Sequence, residues 1–280
     1  MENRDFNFVR RLVIKVGKSL LRKATNKVDM VCLKGIAAQI AGIRDGQARQ
    51  VVLVSSGAVG FGMMRLGLAR RPKDTATLQA AAAIGQPELM KAWAESFRPS
   101  RIRVSQLLLT NDGLQSRDRF LNAKNTLLRI LDLAVVPIVN ENDTVAVEEL
   151  TFGDNDTLSA LVAAMIDADL LINLTNVDGF KDSTGEVMHT IPLIREEWIK
   201  AASSTESEGF TVGGMSAKLK AAQIAIRAGI PVIIANGRTK NILQSILDGR
   251  NVGTVFLPKR KGLKGKKVWR WWNKYRKDAQ

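Results

Sequence analysis

Residues 135–164 read VVPIVNENDTVAVEELTFGDNDTLSALVAA. The stretch opens as a buried strand (Val135, Val136, Ile138, Val139) and passes through Asn140-Glu141-Asn142-Asp143. It then reaches Gly153-Asp154-Asn155-Asp156, just before an apolar run that predicts a helix from Asn155 to Ile166. Two clusters of acids and amides therefore stand at the ends of regular elements. The second opens a helix, whose first N–H groups have no intrahelical partner and attract anionic or polar ligands. Either cluster alone reads equally well as an ordinary turn or N-cap. Together, on one strand–connection–helix unit, they point to a site without a His, Cys or Ser nucleophile.

Outward from this unit the chain alternates between two periodicities. Near-continuous apolar runs predict strands at 11–16, 50–54, 104–110, 135–139, 170–174, 232–235 and 254–257. Apolar residues at helical spacing predict helices at about 30–44, 58–68, 75–96, 117–131, 155–166, 193–203, 216–228 and 239–247, with 203–214 as loop. Strands that are apolar on both faces belong in a parallel sheet covered on both sides. The expected architecture is an α/β fold, helices flanking a mainly parallel sheet, with ligands gathered at the carboxyl ends of the strands.

Composition narrows the chemistry. At 280 residues and 45% hydrophobic content the chain has enough apolar material for a sizeable core. Cys32 is the sole cysteine, which excludes an intrachain disulfide framework and suits a reducing compartment. No apolar run approaches a membrane span, and MENRDFNFVRR lacks the apolar core of a signal peptide, so a cytoplasmic location is expected. His189 is the sole histidine and lies in a polar hairpin-like stretch, GEVMHT, which disfavours His-dependent nucleophilic catalysis. The net charge is +15, of which residues 259–280 carry +9 and the preceding 258 residues +6. A mildly basic body suits acidic substrates.

The strand ends share a character. The first strand delivers Lys15 and then Gly17-Lys18-Ser19; the second delivers Ser55-Ser56-Gly57; the strand at 170–174 delivers Thr175-Asn176. Gly17-Lys18-Ser19 is not a P-loop, because Leu12 stands where that motif needs its first glycine, and no GxGxxG or GxSxG is present. Backbone amides beside Gly17 and Gly57 can still approach phosphate oxygens closely. A third loop, Gly213-Gly214-Met215-Ser216-Ala217-Lys218, precedes a helix and adds a lysine. Lys15 sits between Ile14 and Val16 in an apolar strand, and a lysine buried there needs an anionic partner.

With these pieces in place the chain resembles the amino acid kinase family, and within it the branch that phosphorylates the γ-carboxylate of L-glutamate, the first step of proline biosynthesis. VIKVGKSLL, VLVSSGAVGFG, AAIGQPELM, QLLLTNDG, PIVNENDTVA, FGDNDTLSALVA, GGMSAKLKAA and AGIPVIIANG carry the resemblance in the family's order across residues 12–257. It implies a three-layer αβα sandwich around a mainly parallel sheet, with ATP as co-substrate, Mg²⁺ as its cation and a homo-oligomeric assembly. It also implies catalytic roles for Lys15, Lys218 and Asp156, the last orienting the two lysines, and glutamate binding by Ser56, Asp143 and Asn155. ATP binding falls to Lys15, Gly17, Thr175, Asn176, Val212, Gly213, Gly214, Met215, Ser216, Ala217 and Lys218. The family usually has Asp at Asn176 and Thr at Val212 and Ala217, which bears on nucleotide affinity. Two other functions remain open: a kinase of another carboxylate or of carbamate, against which Ser56, Asp143 and Asn155 speak, and a silent regulatory or nucleic-acid-binding protein, against which the two lysines speak.

The resemblance covers residues 1–258 as a kinase domain and leaves 259–280 as a separate basic tail. Many bacterial members continue into a PUA domain, for which the remaining residues are too few. Instead LPKRKGLKGKKVWRWWNKYRKDAQ places Trp269, Trp271, Trp272 and Tyr275 among basic residues at helical spacing. Docking of a Trp-rich helix on the kinase body or a neighbouring subunit is expected, with contact to nucleic acid or an anionic membrane surface as the alternative.

Overall fold

A computed structural model describes residues 4, 6, 8–23, 27–45, 48–146, 154–206 and 214–258. The tail at 259–280, and Val212 and Gly213 among the expected nucleotide contacts, lie outside the described residues.

The strands are β1 (Arg11–Val16), β2 (Gln50–Ser55), β3 (Val104–Leu109), β4 (Val136–Glu141), β5 (Leu170–Thr175), β6 (Thr190–Ile191), β7 (Val232–Asn236) and β8 (Thr254–Phe256). They form one eight-stranded sheet in the order β3-β4-β2-β1-β5-β7-β8-β6, and every neighbouring pair is parallel except β7 with β8. The helices are α1 (Lys18–Leu21), α2 (Met30–Asp45), α3 (Ala58–Arg65), α4 (Thr75–Phe97), α5 (Arg117–Asp132), α6 (Asp154–Met165), α7 (Glu196–Glu206), α8 (Met215–Arg227) and α9 (Ile242–Leu247). Helices cover both faces, and the three-layer αβα sandwich is present.

Two apolar layers hold the sandwich together, and the period of two along each strand assigns residues to them. Leu12, Ile14, Val16, Ile172 and Leu174 face the side of α2, α4 and α9. Val13, Val52, Leu171, Val232 and Ile234 face the side of α5, α6 and α8. Lys15 and Asn173, in register with one another across β1 and β5, fall on this second face by the same alternation.

Several boundaries differ from the expected ones, and the reasons are tertiary. β4 runs on through Asn140 and Glu141 because Leu108 and Leu109 of β3 pair with them, and both residues are buried. The expected loop at 203–214 gives up its first residues to α7, and the helix expected from 239 begins at Ile242, after Asn241 in the left-handed conformation. The four-residue α1 and the two-residue β6 are too short to leave a periodicity.

Glycines set the approach of α3 to α4. A Cβ at Gly62 would overlap the Ala81 carbonyl, and one at Gly85 would overlap the Ala58 carbonyl and the Gly62 amide. Nearby, the fully buried Trp93 of α4 donates its indole N–H to Ser55 Oγ at the end of β2, 2.9 Å away. The helix pair is thereby clamped against the strand end that precedes Ser56. Gly85→Ala is expected to cost about 3 kcal/mol through this overlap, read as a fall in the urea midpoint. Gly35→Ala in α2, where a Cβ meets nothing within 4 Å, is expected instead to stabilise by up to about 1 kcal/mol.

Candidate active site

The face that carries Lys15 and Asn173 meets the N-terminal turns of α6 and α8. Asp156, in the first turn of α6, lies between two ammonium groups: Lys15 Nζ is 2.6 Å from Oδ1 and Lys218 Nζ 3.4 Å from Oδ2. Asn173 Nδ2 donates to Asp156 Oδ1 at 2.5 Å, and Lys218 Nζ also reaches the Gly214 carbonyl at 3.4 Å. All of these side chains are buried: Lys15 is 4% exposed, Asp156 2%, Asn173 2% and Lys218 6%.

Burial pushes the Asp156 carboxyl up, but the two lysines and the hydrogen bonds from Lys15 and Asn173 outweigh it and hold the group below its ordinary range. Burial pulls Lys15 down, against the attraction of Asp156 and with the help of Lys218. Two ammonium groups held on one carboxylate make a strongly charged buried cluster, a setting suited to an anionic ligand. The field extends to Lys18 at the start of α1. Its side chain as a whole is exposed, yet its ammonium is pushed down to about 8, first by burial of the head group and then by Arg71, Lys15, Lys218 and Arg22.

The opposite end of the site is built from amides and one carboxyl. Asn155 Nδ2 donates to Asn140 Oδ1 at 3.0 Å, which joins the start of α6 to the end of β4. Asp143, just beyond β4, is raised to about 6 by burial, with Arg71 pulling the other way. Ser56 follows β2, and its carbonyl accepts from Ser55 Oγ at 3.1 Å. Gly57, at φ +118°, then turns the chain into α3.

Gly17, between β1 and α1, has an ordinary extended backbone, φ −70° and ψ 147°, and its own N–H donates to the Leu174 carbonyl at 2.9 Å, so that amide is committed to the sheet. What Gly17 supplies is space: a Cβ there would sit 3.9 Å from Lys15 Nζ and 3.3 Å from the Leu174 carbonyl. Thr175 ends β5, its hydroxyl donating to Asn176 Oδ1 at 3.3 Å and its carbonyl accepting from Gly237 N–H at 2.8 Å. Gly214 is the N-cap of α8 and offers no side-chain cap to the first-turn N–H groups of Met215, Ser216 and Ala217. His189 lies elsewhere, its Nδ1 3.1 Å from the Gly253 carbonyl.

Lys15, Lys218 and Asp156 thus converge, and Asn155 and Asp143 stand beside them through α6 and β4. Asn173 belongs to the same cluster, and its signal was present in the sequence: an amide inside the apolar run LLINLT, as anomalous as Lys15 in RLVIKV. Arg71 left no such signal, since it follows Arg70 in a loop far along the chain. A cavity of about 690 Å³ between α2 and the loop before α9 shares no lining residue with this cluster.

Comparison with known proteins gives concordant results. The model of the amino acid kinase family matches residues 10–236. Glutamate 5-kinase of Geobacter sulfurreducens is 45% identical over 266 residues, covering 93% of this chain and 71% of that protein. Glutamate 5-kinase of Thermus thermophilus is 46% identical over 263 residues, covering 93% and 70%. Among solved structures, carbamate kinase from Giardia lamblia bound to AMP-PNP superimposes with a TM-score of 0.62 at 15% identity, over 90% of this chain and 99% of that one. The structural likeness establishes the fold.

Asp156→Ala removes the only carboxylate that faces both lysines among the described residues, and is expected to destabilise by about 3–5 kcal/mol at pH 7, as for one partner lost from a buried ion pair. Adding Lys218→Met to that variant should recover part of the loss, because one uncompensated ammonium goes with it. Chemical denaturation of the single and double variants measures both.

Proposed function

The chain belongs to the amino acid kinase family, in its glutamate 5-kinase branch, and on that premise we infer that it transfers the terminal phosphoryl group of ATP to the γ-carboxylate of L-glutamate. The product is L-glutamate 5-phosphate, and the step is the first of proline biosynthesis. The observation that carries the site assignment is the buried Lys15–Asp156–Lys218 cluster, two lysines held on one carboxylate at the carboxyl ends of β1 and β5, beside the amides of Asn140 and Asn155.

The reaction needs no general base. A γ-carboxylate has an unperturbed pKa of about 4.3 and is ionised at neutral pH. The barrier is electrostatic, since an anion must approach a polyanionic phosphate while charge moves to the leaving oxygen. Lys15 and Lys218 lie where they offset that repulsion, Asp156 holds them in place, and the first-turn amides of α8 add donors. Asp156 itself is engaged by three partners and acts as an anchor for the lysines. Mg²⁺ would supply neutralisation of phosphate charge; among the described residues no group of three or more His, Cys, Asp or Glu side chains is placed to hold a metal ion, so the cation would come with ATP. Thr175, Asn176 and the loop ending in Gly214 hold the nucleotide, with Asn176 and Ala217 replacing the family's usual Asp and Thr.

Ser56, Asp143 and Asn155 hold glutamate, Asp143 facing the α-ammonium. A cytoplasmic location accords with the absence, among the described residues, of any helix long and apolar enough to cross a membrane.

Incubation with ATP, Mg²⁺, L-glutamate and hydroxylamine should yield a hydroxamate that L-aspartate and N-acetylglutamate do not yield; no product with glutamate would overturn the assignment. Lys218→Ala should lower kcat by about 10²–10³-fold, the cost of losing one charge-stabilising donor.

Asp143 gives a pH signature. Being raised to about 6, it is neutral below that pH and charged above it. kcat/KM for glutamate should therefore climb with unit slope up to about pH 6 and then level. Asp143→Asn should lower the plateau and abolish the climb. A raised acid also stabilises the fold below its unfolded value, and this contribution is lost as pH rises through about 6.

A further inference from the structure

The amide side chains around Asn155 form a chain with a fixed direction. Asn140 is its anchor. Asn140 Oδ1 accepts from the backbone N–H of Glu141 at 2.9 Å, and a backbone N–H can only donate, so the oxygen of Asn140 must point that way and its Nδ2 the other. That Nδ2 donates to Gln86 Oε1 at 2.8 Å. Gln86 is left with its own Nε2 to donate, and Gln106 Oε1 accepts it at 2.9 Å. On the other side Asn140 Oδ1 also accepts Asn155 Nδ2 at 3.0 Å. The amide nitrogen of Asn155 is thereby used, and its Oδ1 is buried with no hydrogen-bond partner among the described residues.

An orphaned buried carbonyl oxygen is costly unless a ligand donor meets it. The chain from Gln106 through Gln86 and Asn140 commits one Asn155 N–H to Asn140 and leaves Asn155 Oδ1 as the acceptor without a partner among the described residues. A carboxylate placed against that oxygen would be repelled, and an ammonium would be bound. We propose that Gln86 and Gln106 are positioning residues that hold in place the Asn140–Asn155 pair, whose direction the Glu141 N–H sets, so that Asn155 Oδ1 reads the α-ammonium of the acceptor amino acid. The proposal rests on glutamate being the acceptor.

Gln86 is well placed for this. It is 8% exposed and follows Gly85, whose missing Cβ lets α4 press against the first residue of α3. Since α3 begins directly after Ser56-Gly57, the clamp that fixes the β2 end also fixes Gln86. Pro87 comes next and removes one N–H from the α4 ladder. Its side chain ties α4 to β3 and β4, and Asn140 carries the connection on to α6.

The test compares glutamate with glutarate, which keeps both carboxylates and lacks the amine. Gln86→Leu strands Asn140 Nδ2, so KM for glutamate should rise about tenfold or more, while kcat, KM for ATP and the inhibition constant of glutarate stay within about twofold of wild type. Gln86→Glu still accepts from Asn140, because the exposed Gln106 amide can turn its Nε2 inward, and should restore the glutamate KM. Gln106→Leu, at an exposed position that folding tolerates, should give a smaller rise of the same kind and serves if Gln86→Leu does not fold. Equal rises for glutamate and glutarate would show that Gln86 merely supports the pocket and would overturn the proposal, as would an unchanged glutamate KM. Failure of the parent reading looks different: the wild-type protein itself would form no hydroxamate from glutamate.

Discussion

A carboxylate shared by two buried ammonium groups is the constraint on which the rest of this structure depends. Asp156 can hold Lys15 and Lys218 only if β1, α6 and α8 meet at one point, and Asn173 of β5 closes the remaining side. Each component is expensive to bury alone, since an unpaired charge in an apolar layer costs several kcal/mol. The three-layer packing is what brings them together. Among the described residues Asp156 is the one carboxylate that faces both ammonium groups.

The acceptor end obeys a different rule. There amides stand beside two acids, Glu141 at the end of β4 and Asp143 just beyond it, the latter raised by burial. Amides can donate or accept according to how they are turned, and a single backbone N–H, that of Glu141, removes the choice for Asn140. From that fixed point the donors and acceptors follow in sequence out to Asn155. The two clusters therefore differ in how polarity is imposed: by charge at Lys15–Asp156–Lys218, by the direction of a hydrogen-bond chain at Asn140–Asn155. Both are anchored on the apolar sheet, whose strands supply residues at alternate positions to one face.

Close helix contact joins the two. Gly62 and Gly85 let α3 and α4 approach until backbone meets backbone, and Trp93 bonds Ser55 at the tip of β2. A side chain at either glycine would move Ser56 and Gln86 together. Packing far from the phosphoryl groups thus has a direct bearing on how the acceptor is held.

The sequence by itself determined the layer architecture, because strands apolar on both faces and helices apolar on one have few other ways to bury their surface. It also showed that Lys15, lodged between Ile14 and Val16, required an anionic partner, and Asn173 in LLINLT carried the same message. The tertiary structure alone decided which carboxylate answers Lys15, because Asp156 is 141 positions away in the chain and only the β1–β5 register and the seating of α6 bring it within 2.6 Å. It alone also decided that the Gly17 amide belongs to the sheet, that Asn140 and Glu141 extend a strand, and that Gln86 and Gln106 join Asn140 in one hydrogen-bond chain. The physical reason is common to these cases. Burial and periodicity are local properties that a sequence displays residue by residue, whereas a hydrogen bond between distant side chains exists only after the chain has been packed.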